Sequence, residues 1–167
     1  YAAREKGYIP EDYYVWWGFE DRILYEIAKE ELLELAAEEE PFHFSMLTVD
    51  THHVDGYVCE ICGQTYDSQT ANVVSCADRQ VSEFLEWCSQ QDFYEDTVIV
   101  ITGDHPRMDT SLVAGVSYFD RTVYNCFINA APEGEIRKSG RTFTTMDLFP
   151  SILAAMGYEI EGNRLGL

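Results

Sequence analysis

The fold is decided by the stretch Thr97-Val98-Ile99-Val100-Ile101-Thr102, which is followed directly by Gly103-Asp104-His105-Pro106. The six residues are apolar or β-branched on both faces, which is typical of a central strand buried on both sides of a sheet. Pro106 has no N–H to donate, so the strand ends before it. Asp104 and His105 therefore stand just past the C-terminal end of the strand, where open α/β sheets bind ligands.

Two helices and a strand are predicted before this stretch. Apolar residues recur at helical spacing from Phe19 to Glu40, and Pro41 then ends the helix. Phe42 to Val49 reads as a short strand. Residues 57–73 show no clear hydrophobic period and are predicted to form a loop or weak hairpin. The second helix is expected to begin at Ser75, which resembles a capping box together with Asp78.

A strand and a helix are predicted after it. The strand covers Val123 to Ala130 and the helix Asp147 to Met156, with Pro150 in its first turn and Gly157 at its C-terminal cap. The order helix, strand, helix, strand, strand, helix, without an internal repeat or linker, predicts an α/β layered fold in one partial or complete domain.

Composition limits the function classes. Of 167 residues, 46% are hydrophobic, which is enough for one globular domain with a real core. The 11 basic and 30 acidic residues give a net charge of -19, which disfavours nucleic acid as a partner. An anionic phosphate substrate would need a local positive source, and a bound divalent cation is one. No apolar run reaches the roughly 20 residues of a membrane span, so the chain itself is expected to be soluble.

Three of the four histidines follow predicted strands. Asp104 and His105 pair a carboxylate with an imidazole, which suits a divalent ion such as zinc or manganese, although Gly-Asp-His after a strand is also a common turn. His52 and His53 lie in the polar turn 50–56, either near the same ligand or as a turn cap and an exposed side chain. His43 alternates with core residues and is predicted to be a packing residue.

The five cysteines leave several interpretations open. Cys59 and Cys62 are spaced as half of a zinc site or as a redox pair, with Cys76 as a third ligand, but no second Cys-x-x-Cys completes a four-ligand site. A disulfide such as Cys62 with Cys76 suits an exported protein, and free thiols suit the cytosol.

Arginines and aromatic residues provide further candidates. Arg107 and Arg121 are basic residues near the predicted strand ends, and Arg107 either grips phosphate or pairs with Asp109. The aromatic cluster before Gly18 either stacks on a sugar or glycerol or packs internally; its members are Tyr13, Tyr14, Trp16 and Trp17.

An ordered set of segments carries a family resemblance. These segments are 47–57 (LTVDTHHVDGY), 74–77 (VSCA), 83–85 (EFL), 96–100 (DTVIV) and 104–105 (DH). Through them the chain resembles the phosphoglycerol transferase I family of the alkaline phosphatase and sulfatase superfamily from about Trp17 to its C-terminus. It is more distantly similar to the lipoteichoic acid synthases, which share the strand ending in Asp-His and the helix start at 146–153 (MDLFPSIL).

The resemblance implies a partial alkaline phosphatase-like α/β sandwich with a mainly parallel central sheet. Residues 1–167 would be the C-terminal portion of one sulfatase-like catalytic domain, without its N-terminal half or any membrane anchor. It also implies one divalent ion, most often manganese with magnesium and zinc as alternatives. Asp104 and His105 match two of its ligands, and His52 matches the histidine that contacts the phosphoglycerol headgroup, whereas His53 matches no role.

The implied activity moves phosphoglycerol from a lipid to a glycan or glycerol-phosphate acceptor at the extracytoplasmic face of a bacterial membrane. In the family a metal-activated threonine is the nucleophile, and neither that threonine nor a glutamate ligand has a counterpart here. The chain alone is therefore expected to be inactive and, with an exposed sheet edge, to self-associate. The alternatives are a sulfatase or phosphodiesterase fragment that uses water, and a noncatalytic module that binds glycans or partners.

Overall fold

The computed structural model describes residues 2–15, 17–38, 40–108, 110–130 and 142–161. The elements among them are four α-helices, two β-strands and a 3₁₀ turn at Tyr118–Asp120: α1 (Ala2–Glu5), α2 (Asp21–Ala36), α3 (Gln69–Cys88), β1 (Ile99–Thr102), β2 (Asn125–Ile128) and α4 (Thr145–Ala155). They belong to two compact units, one of residues 1–91 and 107–115, the other of residues 92–106 and 116–167. No helix in the described part of the chain is both long and apolar enough to cross a membrane.

Helices α2 and α3 form the core of the first unit. Each buries one stripe and, apart from Asp21, leaves its charged residues outside that stripe, as the helical spacing predicts. The rings of Tyr25 and Phe84 join the stripes, with centroids 5.0 Å apart. The predicted first helix is confirmed, although it ends at Ala36 and not at Glu40. The buried apolar residues are Ile23, Tyr25, Ala28 and Leu32 in α2, and Val73, Cys76, Phe84 and Cys88 in α3.

Helix α3 begins six residues before the predicted capping box at Ser75. The prediction was wrong because Thr70, a polar residue in the first turn, lies on the buried stripe and hides its apolar pattern there. The helix begins after Ser68, whose Oγ accepts a hydrogen bond from the backbone N–H of Ala71 at 3.3 Å. Only the first part of the predicted loop, up to Asp67, is irregular.

The segment 42–49 is extended but is not a strand. Alternate side chains are half-buried and exposed, yet the described residues provide no ladder partner for it. His43 is on the exposed side, so its prediction as a packing residue was wrong.

The second unit contains a two-stranded antiparallel sheet. Ile99 of β1 is opposite Ile128 of β2, and Thr102 is opposite Asn125. Both predicted strands are confirmed in shorter form. β1 is half-buried and not fully buried as predicted, because β2 is its only partner strand among the described residues. The one strand pair there is antiparallel, so a mainly parallel sheet stays a prediction.

Helix α4 begins two residues earlier than predicted. The Oδ2 atom of Asp147 accepts hydrogen bonds from the backbone N–H and the hydroxyl of Thr144, which caps the helix. Pro150 consequently falls in the second turn and not the first. Gly157, with φ 83°, ends the helix as predicted.

The turn at 50–57 packs tightly against α3. The backbone N–H of Tyr57 donates to the carbonyl of Asp50 at 2.7 Å, and Nε2 of Gln69 donates to the carbonyl of Gly56 at 3.0 Å. Gly56 has φ 79°, and a Cβ there would lie 2.8 Å from both the Asp50 carbonyl oxygen and Cγ1 of Val73. Only glycine fits this position without strain.

Gly56→Ala should therefore destabilise the chain more than Gly7→Ala. Gly7 has the same φ of 79° but nothing within 4 Å of the added Cβ, so it isolates the backbone strain, about 1–2 kcal/mol. The clash at Gly56 should cost about 1–3 kcal/mol more. Urea unfolding of the two variants measures the difference, and equal losses would show that the turn can move away from α3.

Candidate functional site

The His52 turn is fixed by a buried carboxylate. Asp21, in the first turn of α2, accepts hydrogen bonds at Oδ1 from the backbone N–H groups of Val49 and Asp50, at 2.7 and 3.2 Å. The backbone N–H of His52 then donates to the carbonyl of Val49 at 2.9 Å, which closes the turn. The end of the extended segment is thus tied to the start of the helix.

His52 is exposed and has one ring nitrogen directed to the backbone. Nδ1 lies 2.7 Å from the carbonyl oxygen of His53, and because a carbonyl only accepts, Nδ1 carries the proton and donates. In the neutral ring Nε2 then has a lone pair. The His52 ring packs on the exposed indole of Trp17, with centroids 4.7 Å apart and planes tilted by 45°. An exposed imidazole beside an exposed indole suits a small polyol such as glycerol.

Arg107 belongs to the same unit and reaches the same turn. Its Nη1 atom donates to the carbonyl of Thr51, the residue before His52, at 2.5 Å. A guanidinium is therefore held beside the candidate headgroup histidine in a chain with a net charge of -19. Asp109, the alternative partner of Arg107, lies outside the described residues.

The other aromatic and basic candidates are placed differently. Tyr13 packs at 6.4 Å from Phe19, Tyr14 is almost fully exposed, and Trp16 lies outside the described residues. In the second unit Arg121 lies over the ring of Tyr118, with 5.9 Å between its Cζ atom and the centroid.

Asp50 is a functional candidate that the sequence analysis missed. It is buried, and neither carboxylate oxygen has a normal hydrogen-bond partner among the described residues. Burial, and then the charge of Asp21, raises the pKa of Asp50 to about 7, which the backbone N–H of Asp21 offsets in part. Burial also raises the pKa of Asp21. The sequence predicts that an aspartate in a polar turn with two histidines is exposed, so the burial of Asp50 could not be predicted from it.

Asp104 and His105 follow the end of β1 in the second unit, and their side chains are exposed. Nδ1 of His105 lies 2.9 Å from the carbonyl oxygen of Pro106 and must donate to it, so Nε2 carries the lone pair of the neutral ring. That Nε2 atom lies 3.3 Å from Oδ2 of Asp104, whose Oδ1 accepts from the His105 backbone N–H at 2.8 Å.

This pair fits a divalent cation. Bonds of about 2.0–2.2 Å place neighbouring ligand atoms about 3.0–3.5 Å apart, and the Nε2 to Oδ2 distance is 3.3 Å. Metal-bound histidines commonly donate their second N–H to a carbonyl, as His105 does. The pair supplies two ligands, and the described residues bring no third histidine, cysteine or carboxylate to it.

The cysteine cluster is a separate group in the first unit. The Sγ atoms of Cys59, Cys62 and Cys76 all lie within 4.8 Å of one another and are not joined by disulfides. Burial raises the pKa of the Cys59 and Cys62 thiols, so both carry protons at neutral pH in the absence of a cation.

Residues 2–158 match the family described as Sulfatase. The chain belongs to the sulfatase family. This is a family of enzymes with an alkaline phosphatase-like α/β fold, and its members generally use a divalent metal ion. The fold class is thereby confirmed at the level of helices with a sheet.

Curated members of the family include several proteins named phosphoglycerol transferase I. The chain is 30% identical over 158 residues to those of Escherichia coli (strain 55989 / EAEC), Shigella boydii serotype 18 (strain CDC 3083-94 / BS512) and Escherichia coli O157:H7 (strain EC4115 / EHEC). Each alignment covers 90% of this chain and 20% of the relative. The chain thus spans about a fifth of the length of the curated relatives it matches. No solved structure matches it significantly.

The raised pKa of Asp50 predicts that the free energy of unfolding falls as the pH rises. The unfolded carboxyl releases its proton near its ordinary value of 3.8 and the folded one near 7, so the folded chain holds more protons in that interval. The stabilisation is complete below about pH 4 and is lost as the pH rises through 7.

Asp50→Asn should weaken this dependence and stabilise the chain at pH 8 by about 1–3 kcal/mol, because it removes a buried charge that lies beside the charge of Asp21. Urea unfolding at a series of pH values measures the effect, with Asp78→Asn as the exposed control. A wild-type profile that Asp50→Asn leaves unchanged would contradict the assignment.

Proposed function

We propose that this chain supplies metal-binding and headgroup-binding residues to a metal-dependent phosphoglycerol transferase. The observation that carries the proposal is the pairing of Nε2 of His105 with Oδ2 of Asp104 at 3.3 Å, directly after β1. Membership of the sulfatase family and the similarity to proteins named phosphoglycerol transferase I support it.

The metal ligands proposed here are Asp104 and His105. A divalent ion held by them would supply Lewis acidity toward a phosphoryl oxygen and lower the pKa of a bound hydroxyl. Asp104 offers a charged oxygen, and the Pro106 carbonyl keeps His105 in the tautomer whose Nε2 is free to bind. Manganese is the expected ion, with magnesium and zinc as alternatives, because carboxylate with imidazole suits all three.

The phosphoglycerol headgroup is proposed to bind at the His52 turn. Nε2 of His52 can accept from a glycerol hydroxyl, or donate to a phosphate oxygen when the ring is protonated. The exposed face of Trp17 covers the apolar edge of the glycerol, and the guanidinium of Arg107 beside Thr51 attracts the phosphate. The acceptor proposed from the resemblance is a glycan or glycerol phosphate.

The remaining catalytic groups are proposed to come from elsewhere in the whole protein. Residues 1–167 would form the C-terminal portion of one sulfatase-like domain whose other part adds the nucleophilic threonine, a glutamate ligand and the parallel strands of the sheet. Exposed apolar side chains support this, since Phe119 is 94% exposed in the second unit and Leu47 72% exposed in the first. The chain alone should then be inactive and prone to self-association, and the parent would act at the extracytoplasmic face of a bacterial membrane.

Calorimetry with manganese tests the metal ligands. Asp104→Ala and His105→Ala should each weaken binding by about 10-fold or more, because losing a ligand costs at least as much as losing an outer-shell partner. The controls are Asp96→Ala and His43→Ala, which remove an exposed carboxylate and an exposed histidine elsewhere. Equal binding by all five proteins would mean that the acidic surface alone holds the ion.

Titration with glycerol 1-phosphate, followed by NMR shifts, tests the headgroup site. His52→Ala and Arg107→Ala should each weaken binding by about 10-fold to 100-fold, the ordinary loss of one hydrogen bond to a charged group. His43→Ala is the matched control because His43 is also exposed in the same unit. Binding unaffected by either site variant would remove His52 from the proposal. In the whole protein, release of glycerol phosphate to water without acceptor transfer would favour the phosphodiesterase alternative.

A further inference from the structure

A second site lies where the loop after the His52 turn meets α3. Cys59 and Cys76 are buried and Cys62 is half-buried. The Sγ atom of Cys59 lies 3.4 Å from that of Cys62 and 3.8 Å from that of Cys76. The proposed transferase chemistry uses none of these residues.

The spacing of the sulfur atoms is that of ligands around one soft cation. Zinc–sulfur bonds of about 2.3 Å at tetrahedral angles place sulfur atoms about 3.8 Å apart. All three sulfur atoms lie within 4.8 Å of one another, so one ion can reach them with only small side-chain shifts.

The backbone around Cys59 and Cys62 has the form of a metal-binding turn. The backbone N–H of Cys62 donates to the carbonyl of Cys59 at 3.1 Å, and the backbone N–H of Ile61 is directed to the Cys59 sulfur. Gly63 follows, completing Cys-x-x-Cys-Gly. Amide donors aimed at a sulfur stabilise a thiolate more than a thiol.

Cys76 is also surrounded by donors. Nη2 of Arg79 lies 3.6 Å from the Cys76 sulfur and donates to the carbonyl of Ile61 at 2.6 Å, while Nε2 of Gln80 lies 3.5 Å from the same sulfur. A guanidinium here offsets the net negative charge that three thiolates and one divalent ion would leave.

We propose that Cys59, Cys62 and Cys76 bind one zinc ion as thiolates, with a water molecule as the fourth ligand. Three sulfur–zinc bonds form as the three thiol protons pass to solvent. The ion would fasten the loop at 59–62 to α3, and because this loop begins three residues after Gly56, it would also restrain the His52 turn. The site is distinct from the Asp104 and His105 pair, which belongs to the other unit.

Metal content and cobalt substitution test the proposal on the whole 167-residue chain. Purification under reducing conditions without chelator should yield about one zinc per chain, and replacing zinc by cobalt should give sulfur-to-cobalt charge-transfer absorption. Cys59→Ser and Cys76→Ser should lose both signals. Cys126→Ser, which alters a half-buried cysteine in the other unit, should keep both.

If a variant fails to fold, alkylation of the cysteines in the wild-type chain tests the proposal instead. With zinc bound, Cys59, Cys62 and Cys76 should resist alkylation, and they should react after chelation, whereas the buried Cys88 should resist in both states. Alkylation that is the same before and after chelation, without a cobalt–sulfur band, would overturn the proposal. So would a disulfide between any two of the three in the natural protein, seen as the loss of two hydrogen masses.

Discussion

Two hydrogen bonds to one buried carboxylate oxygen hold the His52 turn against α2. Oδ1 of Asp21 accepts from the backbone amides of Val49 and Asp50, so the start of a helix fixes the end of the extended segment. Trp17, just before that helix, consequently meets His52. The arrangement is costly because Asp50 is buried beside the same charge. The headgroup turn therefore trades stability for a fixed geometry, as sites of function often do.

Because the surface is acidic, a local positive charge marks a place where an anion could bind. With a net charge of -19, the chain repels a phosphate over most of its surface. The two compact units each hold a feature that would counter this: Arg107 at the His52 turn in the first, and the proposed ligands Asp104 and His105 at the end of β1 in the second. The proposed phosphoglycerol donor would depend on these features.

Secondary structure was predictable where burial and apolar pattern coincide. α2, β1, β2 and α4 were each placed within a few residues, because one apolar stripe or run marks each of them. The start of α3 was missed because Thr70, in its first turn, is polar and buried. The segment 42–49 alternates like a strand, but alternation reports only which side chains are covered, whereas a strand also needs a hydrogen-bonded neighbour.

The sequence by itself determined what depends on adjacent residues. Asp104 and His105 follow a β-branched run and precede Pro106, so their place at a strand end, and their suitability as a ligand pair, are local properties. Only the tertiary structure decided which distant groups meet: Trp17 with His52, Arg107 with Thr51 across 56 residues, and Cys76 with Cys59 and Cys62. Local pattern sets which face of an element is buried, but the packing of elements against one another sets which buried faces come into contact.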